Sequence, residues 1–230
     1  MADILLIETS TQLCSVAIAH EGAVCAYRES SEARSHAAMT AVFIDSVLKE
    51  AGLKAVDLDA VCVSAGPGSY TGLRVGSSSA KGICFGAGIP LMSVLTTDIL
   101  AAKALDEGLL PEGCRYIIPM VDARRMEVYS APYSPEGEIL GEISPMVVDG
   151  DSFSKELAEG PVLFIGDGAL KCREVLPGGN ASFFPCCPDA RAMLRPAMKA
   201  WKEKRFENTA YFEPFYLKQY VATVSKKNLF

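Results

Sequence analysis

The sequence predicts an α/β fold of two mixed-sheet lobes with flanking helices, on three observations. Apolar runs of strand length alternate with segments whose apolar residues recur every three to four positions. The element order of residues 1–105, three strands and then alternating helices and strands, partly recurs in residues 106–230. Half of the 230 residues are hydrophobic and only 22% are charged, enough for a sizeable core and unlike a disordered chain.

Residues 4–7, all aliphatic, read as a buried strand that ends in the polar turn Glu8-Thr9-Ser10-Thr11. Residues 14–20 and 23–28 are two further strands around a tight turn at Glu21-Gly22. Ser35 can cap a helix over 35–51, with Met39, Val42, Phe43, Val47 and Leu48 on a 3.6-residue period and Gly52 ending it. An apolar strand over 58–65 enters Gly66-Pro67-Gly68, and residues 70–87 form a second helix. A short strand over 90–94 and a helix capped by Thr96 or Thr97 complete a β-β-β-α-β-α-β-α unit, the order of a ribonuclease-H-like lobe.

From Arg115 the pattern partly returns. Residues 116–121 read as a strand, 127–133 as its hairpin mate, and 138–148 as one or two more. A helix capped by Asp151 or Ser152 follows, then a strand over 162–165 closed by Gly166-Asp167-Gly168, and a last strand over 181–184. Residues 189–205 read as a basic helix, and residues 211–220 as an extended aromatic tail that packs back across the cleft between lobes.

Net charge is −6, unevenly placed. Residues 1–189 hold 13 Lys/Arg against 25 Asp/Glu, whereas residues 190–230 hold nine against three. The acidic body argues against strong RNA binding by this chain alone, since phosphate neutralisation supplies most of that affinity. The basic end suits a solvated helix face or an acidic partner, with nucleic acid as the alternative. No apolar run reaches membrane-spanning length, and the start of the chain has no basic segment of a signal peptide. The eight scattered cysteines lack a Cys-x-x-Cys pair and read as reduced thiols of a cytoplasmic protein.

Two readings compete for the glycine-rich stretch. A strand, a glycine turn and a helix start can cradle a phosphate. Yet Gly72, Gly76, Gly82 and Gly86 each cost the helix roughly 1 kcal/mol relative to Ala, which points to a close backbone approach. Gly72, Gly76 and Ala80 at i, i+4 and i+8 form a stripe nearly free of side chains. It either seats the helix on its own sheet or, with the helix over 35–51, docks another subunit. The chain has two histidines, His20 and His36, too few to build a paired-histidine metal site on one helix face. No metal ligand or catalytic residue is assigned.

Two such lobes occur in the actin, hexokinase and heat-shock-ATPase superfamily, where a nucleotide lies between them. That fold makes Glu8, Thr9, Ser10, Gly66, Gly68, Asp122, Gly166 and Gly168 the candidate nucleotide contacts. Ile7-Glu8-Thr9-Ser10, the run from Gly66 to Gly76, Val121-Asp122-Ala123-Arg124-Arg125 with Glu127-Val128-Tyr129, Gly166-Asp167-Gly168 and Glu213-Pro214-Phe215-Tyr216-Leu217 together resemble the bacterial TsaB (YeaZ) family. The resemblance implies a non-catalytic scaffold subunit of the machinery that makes threonylcarbamoyladenosine in tRNAs reading codons that begin with A. It implies direct binding to the catalytic paralogue TsaD through helices 35–51 and 69–86, with Met39, Phe43, Val47, Tyr70, Gly72, Leu73, Gly76 and Ala80 as candidate interface. TsaE would join the complex and TsaC act upstream; tRNA, and any ATP, ADP or magnesium, would be held by the complex. A homodimer through the same surface is the other implied assembly. Glu8 departs from the family's usual Asp, and an ATP-dependent phosphotransferase or ATPase of the same superfamily is the alternative function.

Overall fold

A computed structural model describes residues 2–32, 36–176 and 178–218. The first sheet contains β1 (Ile4–Glu8), β2 (Cys14–His20), β3 (Ala23–Ser30), β4 (Ala60–Gly66) and β5 (Leu91–Leu95), in the order β3-β2-β1-β4-β5. The first three strands form an antiparallel meander, whereas β4 and β5 join in parallel. β1 is buried throughout because both faces of the sheet are covered, which explains its unbroken aliphatic run. On one face, Leu5 and Ile7 pack with Phe43, Ile44 and Val47 of α1 (His36–Ala51) and with Ala80 and Cys84 of α2 (Tyr70–Ala87). On the other, Ile4 and Leu6 meet Ile99 of α3 (Thr96–Asp106) and the residues around α6, described below.

Helix ends follow the expected chemistry in part. Ser69 caps α2 by accepting the Gly72 N–H, and left-handed Gly88 closes it. Leu95 rather than a threonine caps α3, and the expected Ser35 cap lies outside the described residues.

The second half is built from two three-stranded sheets. β6 (Tyr116–Pro119), β10 (Val162–Ile165) and β11 (Ala181–Phe184) run parallel, while β7 (Val121–Asp122), β8 (Glu127–Ser130) and β9 (Ser144–Val147) run antiparallel. The expected single strand over 116–121 breaks at Met120, whose N–H donates to Ile165 O and whose carbonyl accepts the Gly168 N–H. The hairpin mate stops at Ser130; Tyr133 returns only as an isolated bridge, to Ile117 on one side and Ile139 on the other. Of residues 138–148 only β9 is strand.

Helix α4 (Ser154–Glu159) begins after a left-handed Phe153, not at a side-chain cap. Ser152 instead donates to Asp149, forming a local turn. A four-residue helix, α5 (Ala169–Cys172), follows Gly168. The basic helix is shorter than 189–205: α6 spans Leu194–Lys202, because the Asp189 carboxylate accepts the N–H groups of Arg191 and Ala192 and holds them in a turn. Residues 211–218 are irregular; 219 and 220, expected to extend the tail, lie outside the described residues.

A parallel strand pair followed by a glycine turn and a helix occurs once in each half. In the first it is β1/β4, Gly66–Gly68 and α2; in the second it is β6/β10, Gly166–Gly168 and α5. Gly66 (φ +109°) and Gly166 (φ +133°) take conformations that only glycine adopts readily. Helix α3 joins the halves, with Leu100, Ala101 and Ala104 in a core shared with Ile117, Tyr133 and Leu163. Met193, Ala197 and Ala200 carry α6 back onto the first sheet.

Candidate functional site

The candidate nucleotide residues fall into two packed clusters. In the first, Glu8, Thr9 and Ser10 are fully buried beneath α2. A side-chain carbon at Gly68 would collide with Ser10 O, and one at Gly72 with Thr9 O. Gly66 is closed over by the tail, whose Phe215 N–H donates to Ala65 O at 2.7 Å. Glu8 Oε1 accepts the Ser10 N–H at 2.5 Å, while Glu8 Oε2, Ser10 Oγ and Ser64 Oγ are buried without a hydrogen-bond partner among the described residues. Burial raises the Glu8 carboxyl to about 7, with the Ser10 N–H and the nearby Ser10 and Ser64 hydroxyls offsetting part of the shift and Asp189 adding to it.

The second cluster surrounds Asp122. Its carboxylate accepts the Arg124 N–H and pairs with Lys171, and its own N–H donates to Asp167 Oδ1 at 2.9 Å. Burial lifts the Asp167 carboxyl to about 6. Added carbons at Gly166 and Gly168 would meet Met120 O, so these glycines permit backbone contact inside their own lobe.

Protein joins the two clusters. The Cys186 N–H donates to Gly166 O at 3.4 Å, and the Cys187 thiol receives Gln12 Nε2 at 3.7 Å. Burial pushes the Cys187 thiol up, partly relieved by Thr11 and Gln12. Two residues on, the Asp189 side chain is 3% exposed and pairs with Lys103 of α3 and with Arg191, which stacks on Tyr27 of β3. None of Lys103, Cys187 or Asp189 carries a motif, so sequence reasoning passed over them. Among the described residues no group of three His, Cys, Asp or Glu could hold a metal ion.

The candidate interface residues divide by exposure. Phe43, Val47, Gly72, Leu73, Gly76 and Ala80 are buried in the first lobe, where Gly72 and Gly76 seat α2 on Thr9. Met39 and Tyr70 are half-buried. The surface of α1 and α2 is instead formed by Ala37, Ala38, Ala41, Val42, Thr71, Arg74, Ser78 and Phe85. Phe85 is 87% exposed. A second row of small residues, Ser78, Gly82 and Gly86, runs along this outer side, and carbons added to the two glycines would meet nothing within 4 Å. The cost of Gly82 and Gly86 to the helix was the sequence signal for this row.

Between α1 and α2 lies an open groove of about 720 Å³ lined by Ala37, Tyr70, Thr71, Arg74, Val75, Ser78 and Ser79. Its floor is braced by the tail. Tyr216 packs on Tyr70 at 4.9 Å between ring centres, and the Arg74 guanidinium sits over Tyr70 at 4.1 Å.

A three-strand meander leading into a parallel crossover, and a second lobe repeating the strand–glycine-turn–helix unit, define a protein of the actin, hexokinase and heat-shock-ATPase class. Residues 29–175 match the family model described as TsaD, tRNA N6-adenosine threonylcarbamoyltransferase. The tRNA threonylcarbamoyladenosine biosynthesis protein TsaB of Bacillus subtilis is 32% identical over 224 residues, covering 94% of this chain and 93% of that protein. The Escherichia coli TsaB is 29% identical, covering 95% and 96%. The solved structure of YeaZ from Pseudomonas aeruginosa superposes with a TM-score of 0.82 at 27% identity, over 94% of this chain and all of that one. The chain belongs to the TsaB (YeaZ) family.

Proposed function

We propose that this chain is a non-catalytic docking subunit that presents the outer face of α1 and α2 to a TsaD-type transferase and supports threonylcarbamoyladenosine formation on tRNA. The observation that carries this reading is the double use of α2. Its inner small stripe is spent against Thr9, yet a second small row faces solvent beside the groove and the exposed Phe85. Small residues along a helix let a partner's backbone approach closely, and an exposed aromatic gives such a contact an apolar anchor. The relatives' names support the pathway, and the TsaD-type partner is what the family resemblance implies.

TsaE in the same complex, TsaC upstream, and tRNA held by the assembly complete the proposal. A homodimer through the same face is the other assembly proposed. The ATPase alternative is disfavoured by the burial of Glu8 and by the Cys186–Cys187 segment, which links Gly166 to Gln12 beside the 8–11 turn.

Co-purification with TsaD tests the reading. Ser78→Arg, on the exposed row, should abolish the complex while leaving the melting temperature of the isolated chain unchanged. An intact complex would remove the interface assignment. ATP hydrolysis by the purified chain alone, stopped by Glu8→Ala, would restore the ATPase reading.

A further inference from the structure

The turn at residues 8–11 holds both docking helices. Thr9 Oγ1 donates to Gly72 O at 2.8 Å, and the Ser69 N–H donates to Ser10 O at 2.6 Å, so the start of α2 hangs from this turn. His36 Nε2–H donates to Thr11 O at 2.9 Å and ties down the start of α1. One turn at the end of β1 therefore sets where both sides of the groove begin.

Glu8 lies directly beneath. The β1–β4 register sets Ile7 opposite Val63 and so places Glu8 beside Ser64. Its side chain has no exposure, one oxygen takes the Ser10 N–H, and the other has no hydrogen-bond partner among the described residues. The titratable groups around it are Asp189 before α6, the thiols of Cys14 on β2 and Cys62 on β4, and His36 at the start of α1 beyond the turn. Among the described residues no lysine, arginine or histidine forms an ion pair with it. A buried carboxylate without a cation is costly; a buried carboxylic acid among hydroxyls is not.

We propose that Glu8 is a positioning residue, held as a neutral carboxylic acid among the hydroxyls of Ser10 and Ser64, and that this form keeps the turn aligning α1 and α2 for docking. The inference rests on the docking reading above. The pH dependence has one sign. The folded carboxyl titrates near 7 and the unfolded one near 4.5, so its stabilising contribution is full below 4.5, is lost progressively as pH rises from there through about 7, and changes no further above that. Ionisation puts a charge under the turn and loosens the helices hung from it.

The test compares the wild-type chain with Glu8→Gln, which keeps the neutral shape, and Glu8→Ala, which removes it. Melting temperatures of the isolated chains are measured from pH 5.5 to 8.5, and dissociation constants for TsaD at pH 6.5, 7.5 and 8.5. The wild-type melting temperature should fall from pH 5.5 to about 7 and level off above it, Glu8→Gln should stay level, and Glu8→Ala should melt lowest throughout. The ratio of wild-type to Glu8→Gln dissociation constants should rise by up to about tenfold per pH unit above 7. Parallel wild-type and Glu8→Gln melting profiles, or a Glu8→Gln chain as unstable as Glu8→Ala, would overturn the neutral-acid assignment. A constant ratio of dissociation constants beside diverging melting profiles would overturn the coupling to docking. Diverging melting profiles with no TsaD binding by any chain would overturn the docking reading alone.

Discussion

Gly72 and Gly82 sit ten residues apart on one helix and face opposite demands. At Gly72 an added carbon would run into Thr9 O; at Gly82 it would meet open space. Gly72→Ala should therefore destabilise the chain by about 3 kcal/mol, as overpacking against backbone does. Gly82→Ala should stabilise the isolated chain by roughly 1 kcal/mol through helix propensity alone, at a cost to docking if the outer row is the contact. Urea denaturation of the two variants checks both signs, and equal effects would mean that both rows serve the same purpose. Glu8 makes the same point about polar residues: read by type it is a candidate ligand, whereas the fold buries it completely.

Among the elements, α2 and the tail work together. The late run Glu213-Pro214-Phe215-Tyr216-Leu217 is recognisable by resemblance, but no periodicity explains it. In the structure Phe215 bonds the end of β4, and Tyr216 lies on Tyr70 at the first turn of α2. Lys81, further along α2, donates to Ala210 O and Phe212 O at 3.1 Å, a second tie between helix and tail. Removing the ring with Tyr216→Ala should cost about 1 kcal/mol, the scale of an aromatic pair. It should also speed hydrogen exchange at the amides of residues 70–74. Unchanged exchange there would show that Ser69 and the 8–11 turn suffice to hold the helix start.

Across the whole molecule, the halves are joined by α3, by the return of α6 to the first sheet, and by Asp189. Burial pushes the Asp189 carboxyl up, but hydrogen bonds and charge from Lys103 and Arg191 outweigh it, so the group lies below the usual carboxylate range. A carboxylate depressed in this way stabilises the fold at neutral pH, and its contribution is lost as pH falls through the folded value, below about 4. Asp189→Ala removes the buried one of the two carboxylates that Lys103 pairs with, leaving the more exposed Glu107, and should destabilise by about 3 kcal/mol. Denaturant titration at pH 7 and pH 3 should show that penalty shrink at the lower pH. An undiminished penalty would assign the effect to packing and the lost turn rather than to charge.

The first lobe was legible because its signals are local. The buried strand β1 is aliphatic up to Glu8, α1 carries its apolar period within a few turns, and α2 is bounded by Ser69 and Gly88, which act within a few positions. Much of the second half was less so. Met120 breaks one apolar run into strands of two different sheets because of hydrogen bonds to residues some 45 positions away, which a local pattern does not carry. The same division holds for the site. By itself the sequence determined the lobe order, the family, the unusual glycine content of α2 and the scarcity of metal ligands. Only the tertiary structure decided which small row faces inward, that Glu8 lies beneath the turn, and that Cys186–Asp189 joins the lobes. Each of those depends on which distant backbone lies opposite a residue, and residue type alone leaves that open.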